Sequence, residues 1–127
     1  MSIHGTFYWN ELMTRDPEAA KAFYAETLGW TYEAMPMEGG GSYTVAMIEG
    51  RPAAGIFEMS APEFEGLPEH WFSYIAVDDV DARVEKLKAA GGTVLKPPFD
   101  VPQVGRIAVV MDVRGAAVGL MTPVAMD

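Results

Sequence analysis

The chain has 127 residues, 18 of them acidic and 9 basic, for a net charge of −9, and half are apolar. That length fits one domain with a real core, the composition excludes a disordered or coiled-coil chain, and the acidic balance excludes a nucleic-acid partner, which would need a basic footprint. No cysteine is present to form a disulfide or a thiolate nucleophile, the longest apolar run (Ile107 to Met111) is too short for a membrane partner, and Met1-Ser2-Ile3-His4-Gly5-Thr6 lacks signal-peptide form, so the cytoplasm is the expected compartment.

Thr6 to Met13 reads as an aromatic-rich strand. A helix follows, with Asp16 suited to the N-cap and Pro17 to the first helical position. Ala20, Phe23, Tyr24, Thr27 and Leu28 repeat at the spacing of one buried helix face, and Gly29 predicts a left-handed cap. Trp30 to Met35 is the next predicted strand, and Glu38-Gly39-Gly40-Gly41 a flexible loop. Tyr43 to Ile48 and Ala53 to Met59 predict a hairpin turning at Glu49-Gly50-Arg51-Pro52. Ser60 to Glu69 reads as a linker inside one domain. Trp71 to Val77 is then a strand, and Asp78 or Asp79 caps a helix with Val80, Val84 and Leu87 on one face. Gly91-Gly92 ends that helix, and Thr93 to Lys96 is a short strand. Pro97, Pro98 and Pro102 predict a stiff, irregular loop, and Arg106 to Asp112 with Ala116 to Met121 a last hairpin.

The chain also resembles itself. At an offset of 63 residues Trp9 falls on Phe72, and Arg15-Asp16-Pro17-Glu18-Ala19 on Asp78-Asp79-Val80-Asp81-Ala82. At the same offset, Tyr43 to Arg51 falls on Arg106 to Arg114. A duplication follows: module 1 over about 1–59, a linker at 60–69, and module 2 over about 70–127. Each module reads strand, helix, then three strands.

Two such βαβββ modules resemble the vicinal oxygen chelate superfamily, which includes glyoxalase I, bleomycin-resistance proteins and extradiol dioxygenases. The matching elements are Trp9-Asn10-Glu11-Leu12 before Asp16-Pro17-Glu18-Ala19-Ala20, Phe23-Tyr24, Leu28-Gly29-Trp30, the run from Tyr74 to Asp81, Gly91-Gly92, and Asp112-Val113-Arg114-Gly115. The resemblance implies an α+β fold: an eight-stranded, cupped, mixed sheet with a central pocket and the helices outside. It also implies a homodimer. Metal-dependent members place ligands on the first and last strands of each module. Counted from the helix caps, those positions fall here on Trp9, Phe72 and Gly119, and in the first module on Glu58, or on Ile56 if the offset is kept strictly. A divalent ion needs nitrogen or oxygen lone pairs, so the usual ligand set is missing and no cofactor is expected.

Side chains two apart share a strand face. This parity groups Phe7, Trp9 and Glu11; Ile56 and Glu58; His70, Phe72 and Tyr74; and Gly119 and Met121. If these faces converge as the resemblance implies, they line a pocket for a small aromatic or amphipathic molecule. Glu11 and Glu58 are the candidate catalytic groups. Glu11 is either a general base or an ion-pair partner of Arg106, Arg114 or Arg51. Glu58 faces the pocket, or solvent if the register slips by one. Glu58, His70 and Glu11 together form an alternative, non-standard divalent metal site. The expected function is small-molecule binding without the usual metal. The alternatives are a lactoylglutathione-lyase-like enzyme, isomerase or dioxygenase with displaced ligands, and a regulatory protein-interaction module. The 39–41 and 97–104 segments are candidate lids.

Overall fold

The computed structural model describes residues 3–36, 42–102 and 104–124. The proposed glycine lid at 39–41 lies outside the described residues. Two βαβββ modules follow one another, giving an α+β fold. The first runs β1 (Phe7–Thr14), α1 (Pro17–Leu28), β2 (Thr31–Pro36), β3 (Ser42–Ile48) and β4 (Arg51–Glu58). The second runs β5 (His70–Ala76), α2 (Val80–Ala89), β6 (Thr93–Val101), β7 (Gly105–Met111) and β8 (Ala117–Pro123). Pairing is mixed within each module, and among the described residues no helix is long and apolar enough to cross a membrane.

The described residues form two compact units. One is Asn10–Trp71; the other joins the residues up to Trp9 with those from Phe72 onward. The division falls inside β1 and β5.

In the Asn10–Trp71 unit the strand order is β2-β3-β4-β1, with β4 and β1 parallel and the others antiparallel. The β3–β4 turn is only Glu49-Gly50, both at positive φ (52° and 77°), which is the backbone of a two-residue hairpin turn matched to strand twist. Asp16 caps α1 by accepting from the Ala19 amide at 3.0 Å, and Gly29 closes it in the left-handed region. The predicted buried stripe is not buried. No residue of α1 is buried, and Phe23 and Leu28 are more than half exposed. The physical reason is an open cleft between the stripe and β1, leaving Phe23 without a covering layer. The linker makes one 3-10 turn (Pro62–Phe64), and Arg15 pins it by donating to the Phe64 and Leu67 carbonyls at 2.8 and 2.7 Å.

In the other unit the order is β5-β8-β7-β6. Asp79 caps α2 through the Ala82 amide, while Asp78 instead takes a bidentate pair with Arg83. Val80 and Val84 are buried against Val77, Ala108, Val110 and Leu120, so this helix is anchored as its stripe predicts. The predicted loop after Lys96 is strand: β6 continues through Pro97 and Pro98 to Val101. An edge position and two register irregularities accommodate prolines that cannot donate to a ladder. That segment therefore cannot serve as the expected loop lid.

Candidate functional site

Strand register sorts the candidate residues onto faces. Tyr74 pairs with Gly119, Val109 with Gly119, and Ile107 with Met121, so these side chains share one face. It is the face opposite α2, whose valines pack on the alternate residues. Tyr74, Ile107 and Met121 are buried there, with Trp9, Phe72, Phe99, Val101 and Val104 packed against them. Phe72 and Tyr74 meet edge to face, with centroids 5.2 Å apart. Gly119 makes this possible, because a Cβ at that position would collide with the Tyr74 ring. Lys96 stands over the Phe99 ring at 4.4 Å, a cation–π contact at the border of the cluster. Phe7 is 69% exposed.

The second group lies in the Asn10–Trp71 unit. Glu11 is buried, and the Tyr43 hydroxyl donates to its Oε1 at 2.6 Å. Glu11 pairs with Gly55 across β1 and β4, and Gly55 with Val45 across β4 and β3. Tyr43 shares that face and lies over Gly55, where any Cβ would collide with its hydroxyl. The glycine thus opens a passage for the phenol to reach a carboxylate two strands away. Of the arginines considered as partners, Arg106 is engaged by Asp81 and Asp100, and Arg51 by Glu49.

The same register corrects the face expected for Ile56 and Glu58. They pair with Leu12 and Thr14, so both point away from the Glu11 face. Ile56 is buried and Glu58 is exposed on that opposite side. A strict offset of 63 fails here by one residue, and one residue inverts a strand's faces. Gly55 opposite Glu11 is the counterpart of Gly119 opposite Tyr74. The ring nitrogen Nδ1 of His70 lies 2.7 Å from the Pro68 carbonyl. His4 accepts the Asp78 amide at 3.0 Å through Nδ1. Among the described residues no three His, Asp or Glu side chains gather as a metal site, so Glu58, His70 and Glu11 are not brought together as one. Trp9, Phe72 and Gly119 carry no side-chain donor for a divalent ion, and Glu58, the one carboxylate at an expected ligand position, is exposed on the β4 face away from Glu11, so the residues at the usual ligand positions do not fit one.

Sequence parity missed Tyr43, Gly55 and Phe99. A mid-strand glycine was the available signal for the first two, since it marks close approach of another group. Phe99 was hidden because its segment read as loop.

The family model for the Glyoxalase/Bleomycin resistance protein/Dioxygenase superfamily matches residues 6–120. A protein named putative glyoxylase CFP32 from Mycobacterium tuberculosis is 46% identical over 117 residues, covering 91% of this chain and 45% of that protein. The anthracycline biosynthesis protein DnrV of Streptomyces peucetius is 33% identical over 120 residues, covering 86% of this chain and 44% of its own length. This chain therefore spans less than half the length of these curated relatives. Among solved structures, a Streptomyces coelicolor methylmalonyl-CoA epimerase variant superposes with a TM-score of 0.72 at 20% identity, covering 98% of each chain. At that identity the likeness is one of fold.

Proposed function

The chain belongs to the glyoxalase/bleomycin resistance protein/dioxygenase superfamily, and we propose that within it this protein binds a small aromatic or amphipathic molecule on the face built from Trp9, Phe72 and Tyr74. The observation that carries this reading is the aromatic cluster itself. Large rings stand at the two first-strand positions where the family resemblance places the ligands of metal-dependent members, and they pack against buried Tyr74, Ile107 and Met121. Apolar and aromatic walls with few polar groups suit a flat organic ligand. The name of the 33%-identical relative, an anthracycline biosynthesis protein, favours an aromatic one. The bound state needs no metal, and a homodimer is the proposed assembly.

Trp9 reports directly on this site. A panel of aromatic compounds screened by tryptophan fluorescence should yield a saturable ligand. Trp9→Ala, which removes that reporter and is therefore read by titration calorimetry, should weaken it more than tenfold, about 1.4 kcal/mol or more, while circular dichroism stays that of the folded chain. Unchanged affinity would remove the assignment.

A glyoxalase-type enzyme is the second reading, favoured by the name of the 46%-identical relative. Elemental analysis of protein purified without an affinity tag or chelator separates the two. About one divalent metal per chain would support the enzyme with ligands other than the usual set, whereas metal-free protein retaining its aromatic ligand would support the binding reading.

A further inference from the structure

The cleft that keeps α1 from being buried has a chemical character of its own. Leu12, Ala20, Phe23 and Tyr24 form its apolar walls, Asp16 and Glu69 supply its carboxylates, and its volume is about 430 Å³. Among the described residues no lysine or arginine lines it. The two carboxylates differ in availability. Asp16 is committed to the helix N-terminus through the Ala19 amide. Glu69 is exposed but fixed: buried Thr14 donates to its Oε1 at 2.5 Å, and the same hydroxyl accepts the Asp16 amide at 3.1 Å. The threonine is thereby oriented by the backbone and in turn orients the carboxylate. One held, solvent-facing negative charge stands in a cleft walled by Phe23 and Tyr24.

We propose that this cleft binds an amphipathic organic cation, with its ammonium group against Glu69 and its apolar body along Phe23 and Tyr24. A carboxylate gives a charge-assisted hydrogen bond to an ammonium donor, and aromatic faces attract the same cation. An anion would meet two carboxylates, with Asp16 already occupying the α1 N-terminus and no lysine or arginine among the described lining residues. The cleft shares no residue with the Trp9, Phe72 and Tyr74 face. Its strand residues Leu12 and Thr14 alternate with Glu11 and point the other way.

The test uses the full chain, isotope-labelled for amide NMR and titrated with phenethylammonium chloride. Phenethyl alcohol serves as the neutral counterpart. Saturable shifts are expected at Ala19, Ala20, Phe23 and Tyr24. The alcohol, and the Glu69→Gln variant titrated with the cation, should each bind about fivefold more weakly, the scale of an exposed ion pair. Glutamine keeps an oxygen for Thr14, so the wall is retained. Equal binding of the alcohol, unchanged affinity in the variant, or no saturable shift at tens of millimolar would each overturn the proposal. Shifts confined to Trp9, Phe72 and Tyr74 would overturn it as well, while leaving the proposed ligand face standing.

Discussion

Gly55 and Gly119 do the same physical work at corresponding places. Each lies opposite a β1 or β5 residue, Glu11 or Tyr74, and each leaves room for an aromatic ring that a Cβ would strike. At Gly55 the consequence is electrostatic as well as steric. A methyl group there displaces the Tyr43 hydroxyl and strips a donor from buried Glu11. Gly55→Ala should therefore cost about 1–3 kcal/mol in urea unfolding, combining overpacking with a lost hydrogen bond to a buried carboxyl group. Tyr43→Phe tests the polar part alone, because the ring still fits and only the donor is gone. The steric account predicts that adding Gly55→Ala to Tyr43→Phe still costs stability. If the second change costs nothing once the hydroxyl is removed, the hydroxyl was the only obstacle. Gly119→Ala acts on the Tyr74 ring. Its cost comes from forcing the Tyr74 ring off Phe72, and it should appear in unfolding and in ligand affinity together.

The two helices are capped alike but anchored differently. Asp16 and Asp79 each accept from an amide three residues on, yet α2 buries Val80 and Val84 while α1 buries nothing. Val84→Ala should cost about 2 kcal/mol, from two buried methyl groups and the space they leave. Phe23→Ala, despite removing a larger side chain, should cost under about 1 kcal/mol, as for other largely exposed positions. A comparable cost for both in urea titrations would mean that the α1 stripe packs down and the cleft closes. The contrast also shows what the sequence makes legible. Caps, hairpin turns and the strand–helix order are local signals: Asp16 and Gly29 spell theirs directly, while the turn expected over Glu49 to Pro52 narrows to Glu49-Gly50 and the α2 cap, open between Asp78 and Asp79, falls on Asp79. Register is not local. Whether Ile56 and Glu58 face Glu11 depends on a single residue of offset between β1 and β4, which the duplication does not preserve. The burial of an apolar stripe depends on a partner surface, so α1 and α2 read alike and end differently. The aromatic cluster lay between these cases: parity grouped Phe72 with Tyr74 and Gly119 with Met121, but Phe99 was masked by prolines in an edge strand.

At the scale of the whole molecule, acid is the informative variable, since 18 carboxylates oppose 9 fixed cations. Among the described residues three of those carboxylates are held low by named partners. The Arg83 guanidinium lowers Asp78 from 3.8 to about 2, Arg106 lowers Asp81, and the backbone amides of Ala116 and Arg114 lower Asp112. A carboxyl depressed in the folded state binds its proton more readily when unfolded, so its contribution is complete above the unfolded value. It is lost as pH falls through the folded one. For Asp78 that window runs from about 4 down to about 2. Both groups of the Asp78–Arg83 pair are partly exposed, so salt should screen the contribution. Below the isoelectric point near 4.5 the net charge turns positive and self-repulsion grows as further carboxylates are neutralised, but it acts on wild type and on Asp78→Asn almost alike. The difference between the two unfolding curves therefore isolates the Asp78 carboxylate, which faces Arg83 and, at 3.5 Å, Nδ1 of His4. Wild type should be the more stable at pH 7, with the gap narrowing from about pH 4 to 2 and shrinking in high salt. A gap independent of pH would mean that the Asp78 side chain acts through the shape of its turn beside His4 and not through its charge.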